Sequence, residues 1–140
     1  NSPYEEIKYV IKNNDSIDWI VGIQDPQSST IIKKIKINNL SMATSGTYNN
    51  YFVNNGIEYS HIINPLTGYP IENQLLSSTV ISKKCIDADA LSTMLMVLGS
   101  KDGVDIINEI QNVECMLIIK DVKDEIQLVY SDNFERFIVN

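Results

Sequence analysis

The sequence predicts an α+β fold: a mostly antiparallel sheet with a helical pair packed on it. Three observations lead there. Short apolar runs with strand-like alternation recur along the chain, Asn-Asn and Asn-Gly turn signals join neighbouring runs, and two helix patterns follow each other between 87 and 111. Strands linked by short turns pair antiparallel, and helices that arrive together gather on one face of such a sheet.

At the N-terminus two readings stay open. Ser2-Pro3-Tyr4-Glu5 has the form of a capped helix start, whereas Ile7, Tyr9 and Ile11 alternate as in a strand. Trp19-Ile20-Val21-Gly22-Ile23 reads as a buried strand ended by Asp25-Pro26. Over 30–37 one face would carry Ile31, Lys33, Ile35 and Ile37 and the other Ile32, Lys34 and Lys36, so the lysines form a solvated strand face. After an Asn-Asn turn, Leu40 to Thr44 continues as a strand. Asn49 to Val53, Asn54-Asn55-Gly56 and Ile57 to Ile63 form a hairpin, because an Asn-Gly pair supplies the left-handed turn geometry that twisted strands need.

The second half brings Leu75 to Ser82 as a strand and Asp87 to Leu98 as a helix, with Asp87 as its cap and Gly99 just past its end. Lys101 to Gln111 is a second, amphipathic helix with Val104, Ile107 and Ile110 along one side. Cys115 to Ile119, Glu125 to Tyr130 and Phe137-Ile138-Val139 complete the sheet.

With 140 residues the chain has the length of one domain. Its formal charge of −7 and single arginine, Arg136, argue against nucleic acid, whose binding depends on Lys and Arg neutralising phosphates. No apolar run approaches the ~18–20 residues of a membrane span; the longest, Ala90 to Leu98, is interrupted by Ser92 and Thr93. The chain opens on Asn1 rather than Met and reads as a processed or trimmed piece. Cys85 and Cys115 fit two buried thiols or one disulfide, and two Cys with one His do not make a four-ligand zinc site.

Three segments carry candidate chemistry. The first is Tyr59-Ser60-His61-Ile62-Ile63-Asn64-Pro65-Leu66-Thr67-Gly68-Tyr69-Pro70, which holds the only histidine. An imidazole can exchange protons near neutral pH, and the Pro and Gly that follow would fix its direction. A histidine partly buried in a strand and bonded to backbone is the plainer alternative.

The second is the helix start. Asp89, Ser92 and Thr93 fall at i, i+3 and i+4 and share one stripe of an otherwise apolar rod. Both acids, Asp87 and Asp89, could simply serve the helix N-terminus. The hydroxyl one turn beyond Asp89 adds a second hard oxygen, enough to anchor Mg2+ if phosphates and carbonyls complete its shell. The third is Met42-Ala43-Thr44-Ser45-Gly46-Thr47-Tyr48, where small residues let backbone approach a ligand closely. No G-x-S-x-G elbow surrounds Ser45 or Ser60, so a serine hydrolase has little support.

Together, Ala43-Thr44-Ser45-Gly46, the His61 segment and Ala88-Asp89-Ala90-Leu91-Ser92-Thr93 with Leu98-Gly99 resemble the ApbE family of flavin transferases. The resemblance runs from about Trp19 to the end and covers the C-terminal part of that fold. It implies that residues 1–140 are a single domain, the C-terminal portion of a longer flavin transferase. It further implies Mg2+-dependent transfer of FMN from FAD to a threonine hydroxyl of an acceptor protein, with release of AMP. On this resemblance Asp89 and Thr93 are metal ligands, His61 is the catalytic residue at the flavin-transfer site, and Ser45 and Gly46 form a turn beside the nucleotide. It also implies an extracytoplasmic lipoprotein anchored to a membrane. A non-catalytic flavin-binding or interaction domain, and an FAD diphosphatase yielding FMN and AMP, are the competing expectations.

Overall fold

A computed structural model of the chain describes residues 18–28, 30–47, 51–54, 57–71 and 74–139. The ambiguous stretch before Asp18, Tyr48 and the Asn55-Gly56 turn lie outside them.

Strands β1 (Trp19–Gln24) and β2 (Ile31–Ile37) pair antiparallel, with Val21 opposite Ile35. The turn between them is held by Asp25, whose carboxylate accepts the Gln27 amide at 2.8 Å; that bond keeps the Asp25 pKa below its ordinary value. Then come β3 (Ser41–Gly46), β4 (Tyr51–Asn54), β5 (Ile57–Ser60) and β6 (Leu75–Ser82). Helices α1 (Cys85–Leu98) and α2 (Ser100–Glu109) follow, then β7 (Glu114–Lys120), β8 (Ile126–Tyr130), a 3₁₀ turn (Phe134–Phe137) and β9 (Ile138–Val139). The α+β class expected from the sequence is the class observed.

The expected single sheet is, among the described residues, three antiparallel sheets. A four-stranded sheet has the order β3-β6-β7-β8, a three-stranded sheet β1-β2-β9, and β4 and β5 form the anticipated hairpin. The four-stranded sheet is the central layer. Ala43, Val80, Cys115 and Leu117 face the helices and pack with Ala88, Leu95, Met96 and Ile107. Their strand neighbours Met42, Ile81, Met116 and Ile118 face the other way, onto Ile23, Ile35, Ile37 and Phe134. Being covered on both faces, β6 is buried at nearly every position and shows no polar alternation.

Several local expectations are corrected. Trp19 and Ile20 are 43% and 63% exposed, so β1 is not a buried strand; it flanks the three-stranded sheet, and only Ile23 of β1 is buried. Helix α1 begins at Cys85 with Lys84 as its N-cap and no side-chain cap, which leaves Asp87 in the first turn rather than at the cap. The strand expected to reach Ile63 stops at Ser60, whose hydroxyl accepts the Ile62 amide at 3.1 Å and turns the chain. Phe137 lies in the 3₁₀ turn, and that turn drives Phe134 into the core.

Gly99 closes α1 as expected, its amide donating to the Leu95 carbonyl at 2.9 Å. Cys85 and Cys115 are free thiols, and burial pushes the Cys115 thiol up to about 12. Among the described residues no helix is long and apolar enough to cross a membrane.

Candidate functional site

Ser45 is not in a turn. It lies in β3, opposite Ser78 of β6, and Gly46 ends the same strand opposite Ser77. Both strands pack under α1, and this brings Ser45 to the stripe identified on the helix. The Ser45 Oγ stands 2.8 Å from Ser92 Oγ and 3.2 Å from Thr93 Oγ1. Ser92 Oγ donates to the Asp89 carbonyl at 2.9 Å, and Thr93 Oγ1 donates to the same carbonyl at 3.3 Å. From below, the buried Ser78 hydroxyl donates to the Ser92 carbonyl at 2.5 Å. Strand and helix are thus joined by hydroxyl bonds at the residues expected to matter.

Burial grades outward through this cluster. Ser78 and Ser92 are fully buried, Ser45 and Asp89 are half-buried, and Thr93 is exposed. Thr93 is thus the exposed member of the cluster, with Asp89 half-buried one turn before it on the same helix. Among the described residues no three His, Cys, Asp or Glu side chains gather as a metal cluster. The donor set still fits Mg2+, which takes one or two protein oxygens and fills its shell with water and substrate phosphates. Asp89 and Thr93 supply hard oxygens of that kind.

His61 sits just past the end of β5 and is exposed, so the reading of a histidine partly buried within a strand does not hold. Its neighbour Ile62 is buried in the same core cluster as Ala43, Ala88, Leu95 and Met96, which fixes this segment on the helical side of the central sheet.

The loop that follows is bonded to itself. The Asn64 side chain accepts the Leu66 amide at 2.9 Å, and the Asn64 carbonyl accepts the Gly68 amide at 2.8 Å. Gly68 has φ of 73°, the left-handed conformation that glycine adopts without strain. Between this loop and the C-terminal end of α1 lies a groove of about 510 Å³, lined by Asn64, Thr67, Tyr69, Pro70, Val97 and Leu98.

One of these participants, Ser78, escapes the sequence reading, which places it only within a Ser- and Thr-rich strand; Ser45 is singled out there, but in a turn rather than in β3. Polar residues in a strand that proves central, Ser77-Ser78-Thr79, were the available signal, since buried hydroxyls need partners.

Comparison with known proteins gives consistent results. A profile described as the ApbE family matches residues 6–117. The chain is 36% identical over 135 residues to an FAD:protein FMN transferase of Vibrio cholerae serotype O1, a match covering 95% of this chain and 40% of that protein. The crystal structure of the ApbE protein from Thermotoga maritima superposes with a TM-score of 0.75 at 30% identity, covering 88% of this chain and 39% of that one. The flavin transferase ApbE from Vibrio cholerae does so with a TM-score of 0.73 at 35% identity, covering 89% and 39% respectively. The chain thus spans about two-fifths of the length of these relatives.

Proposed function

The chain belongs to the ApbE family, and from that premise we propose that it carries part of the active site of an FAD:protein FMN transferase. In this reading FMN passes from FAD to a threonine hydroxyl on an acceptor protein and AMP is released. The supporting observation is the oxygen cluster on α1: a half-buried Asp89 and an exposed Thr93, with Ser45 and Ser92 bonded behind them.

Asp89 and Thr93 are the residues that would hold Mg2+. The ion would supply positive charge to the FAD diphosphate, in a reaction where positioning and charge neutralisation do most of the catalysis. The helix and strand hydroxyls hold the Thr93 side chain against the Asp89 carbonyl and Ser45. His61, exposed on a segment anchored through Ile62, would orient the acceptor threonine or take its proton. In the second case the threonine oxygen bonds to the FMN phosphorus, the phosphoanhydride bond to AMP breaks, and the hydroxyl proton goes to the imidazole. Such general-base help is worth about 10²–10⁴-fold. Gly46 and Ser45 would lie alongside the nucleotide. We also propose a location outside the cytoplasm on a membrane anchor, an expectation from the family resemblance that cell fractionation checks.

Asp89→Ala is expected to abolish Mg2+-dependent FMN transfer. The measurement is flavin fluorescence of the acceptor together with AMP release. Transfer at the wild-type rate in this variant would remove Asp89 from the site, and AMP release without an acceptor would identify hydrolysis instead.

A further inference from the structure

The hydroxyl bonds around Thr93 have a direction, set by the two donors to the Asp89 carbonyl together with proton count. A serine or threonine hydroxyl has one proton to give, and a backbone carbonyl can only accept. Ser92 spends its proton on the Asp89 carbonyl, at 2.9 Å. The 2.8 Å bond between Ser92 and Ser45 must therefore be donated by Ser45. That leaves Ser45 only lone pairs for its 3.2 Å contact with Thr93, so Thr93 is the donor there. That proton is the one Thr93 gives to the Asp89 carbonyl at 3.3 Å, so the carbonyl and Ser45 share it in a three-centre bond.

Both contacts of the Thr93 hydroxyl thus draw its proton inward. The Thr93 side chain itself is exposed, so its lone pairs are left for the solvent side. That is the orientation a threonine needs to ligate a cation.

We propose that Ser45 and Ser92 are positioning residues: a one-way hydroxyl chain from β3 to α1 that holds the Thr93 proton away from the cation and its lone pairs toward it. The inference rests on the metal-site reading above and gives Ser45 a different task from lying beside the nucleotide. The chain is stiff because its inner end is dry. Ser92 is 0% exposed, and Ser78, also 0% exposed, pins the helix backbone through the Ser92 carbonyl. Water cannot reach that end to offer a competing partner. Partners of this kind, one bond removed from a metal, typically govern about 10–100-fold in metal affinity.

The test measures binding of Mn2+, in place of Mg2+, by the full chain in the presence of FAD, read from the electron paramagnetic resonance of free Mn2+. Ser45→Ala is expected to weaken Mn2+ by about 10–100-fold while the thermal unfolding transition stays cooperative. Ser45→Thr, which keeps the hydroxyl, restores wild-type affinity. Ser45→Cys, close in volume but a poor hydrogen-bonding group, serves if the alanine variant does not fold, and it weakens binding in the same direction.

Mn2+ affinity unchanged in the alanine or cysteine variant overturns the inference. So does a threonine variant as weak as the alanine one, because then the hydroxyl is not what matters. Asp89→Ala separates the two levels. Wild-type binding that ignores Asp89 removes the metal site and the positioning chain together, whereas binding that depends on Asp89 and ignores Ser45 removes only the chain.

Discussion

Glu114 shows how much a single residue can owe to its surroundings. It is 6% exposed at the start of β7, where an unpaired carboxylate would be costly. The Ser131 hydroxyl donates to its Oε2 at 2.5 Å and the Asn133 amide at 3.2 Å. Arg136 lies 3.5 Å from Oε1, but its side chain is 55% exposed and spread over the Phe137 ring. A solvent-screened pair of this kind contributes about 0–1 kcal/mol, whereas stranding buried donors costs about 1–3 kcal/mol. Glu114→Ala is therefore expected to destabilise the fold by about 1–3 kcal/mol, and Arg136→Ala by less than about 1 kcal/mol, in urea titrations. The reverse order would show that the ion pair dominates. Nothing in the sequence marks Glu114 for this role: the apolar run that predicts the strand begins at Cys115, and the partners Ser131 and Asn133 lie in a turn beyond β8.

At the scale of elements, α1 is defined more sharply at its end than at its start. Its N-terminus has no side-chain cap, and the Asp87 expected there merely adds charge to the first turn. Its end depends on Gly99, which has φ 82° and ψ −179° and also opens α2. That conformation is nearly closed to residues with a Cβ, so Gly99→Ala should cost about 1–3 kcal/mol, measured as a lowered urea midpoint. A neutral substitution would mean that the junction can relax. The two helices then meet closely: a Cβ on Gly103 would lie 2.5 Å from Cδ2 of the fully buried Leu95. The sequence foretold Gly99 because helix termination is local chemistry. It was silent on Gly103 because that glycine serves a contact with another helix.

For the whole molecule, the central sheet couples two cores. β6 and β7 send alternate side chains to the helical side and to the three-stranded sheet, so neither core can dissolve while these strands remain paired. Phe134, fully buried and stacked on Tyr130 at 5.6 Å between ring centroids, anchors the second core. Phe134→Ala is expected to cost about 3–5 kcal/mol. Trp19 fluorescence and far-ultraviolet circular dichroism should still report one coincident transition, and separated transitions would show that the cores unfold independently. The sequence by itself determined the kinds of element, the hairpin, the end of α1 and the stripe of Asp89, Ser92 and Thr93. Periodicity and turn chemistry are properties of neighbouring residues, so they survive without a fold. Only the tertiary structure decided that Trp19 and Ile20 face solvent, that the expected sheet divides into separate sheets, and that Ser45 and Ser78 reach α1. An alternating pattern tells which face of a strand is apolar, but not what that face will meet. Ser45 and Ser92 are 47 residues apart in sequence, and only packing brings their hydroxyls within a hydrogen bond.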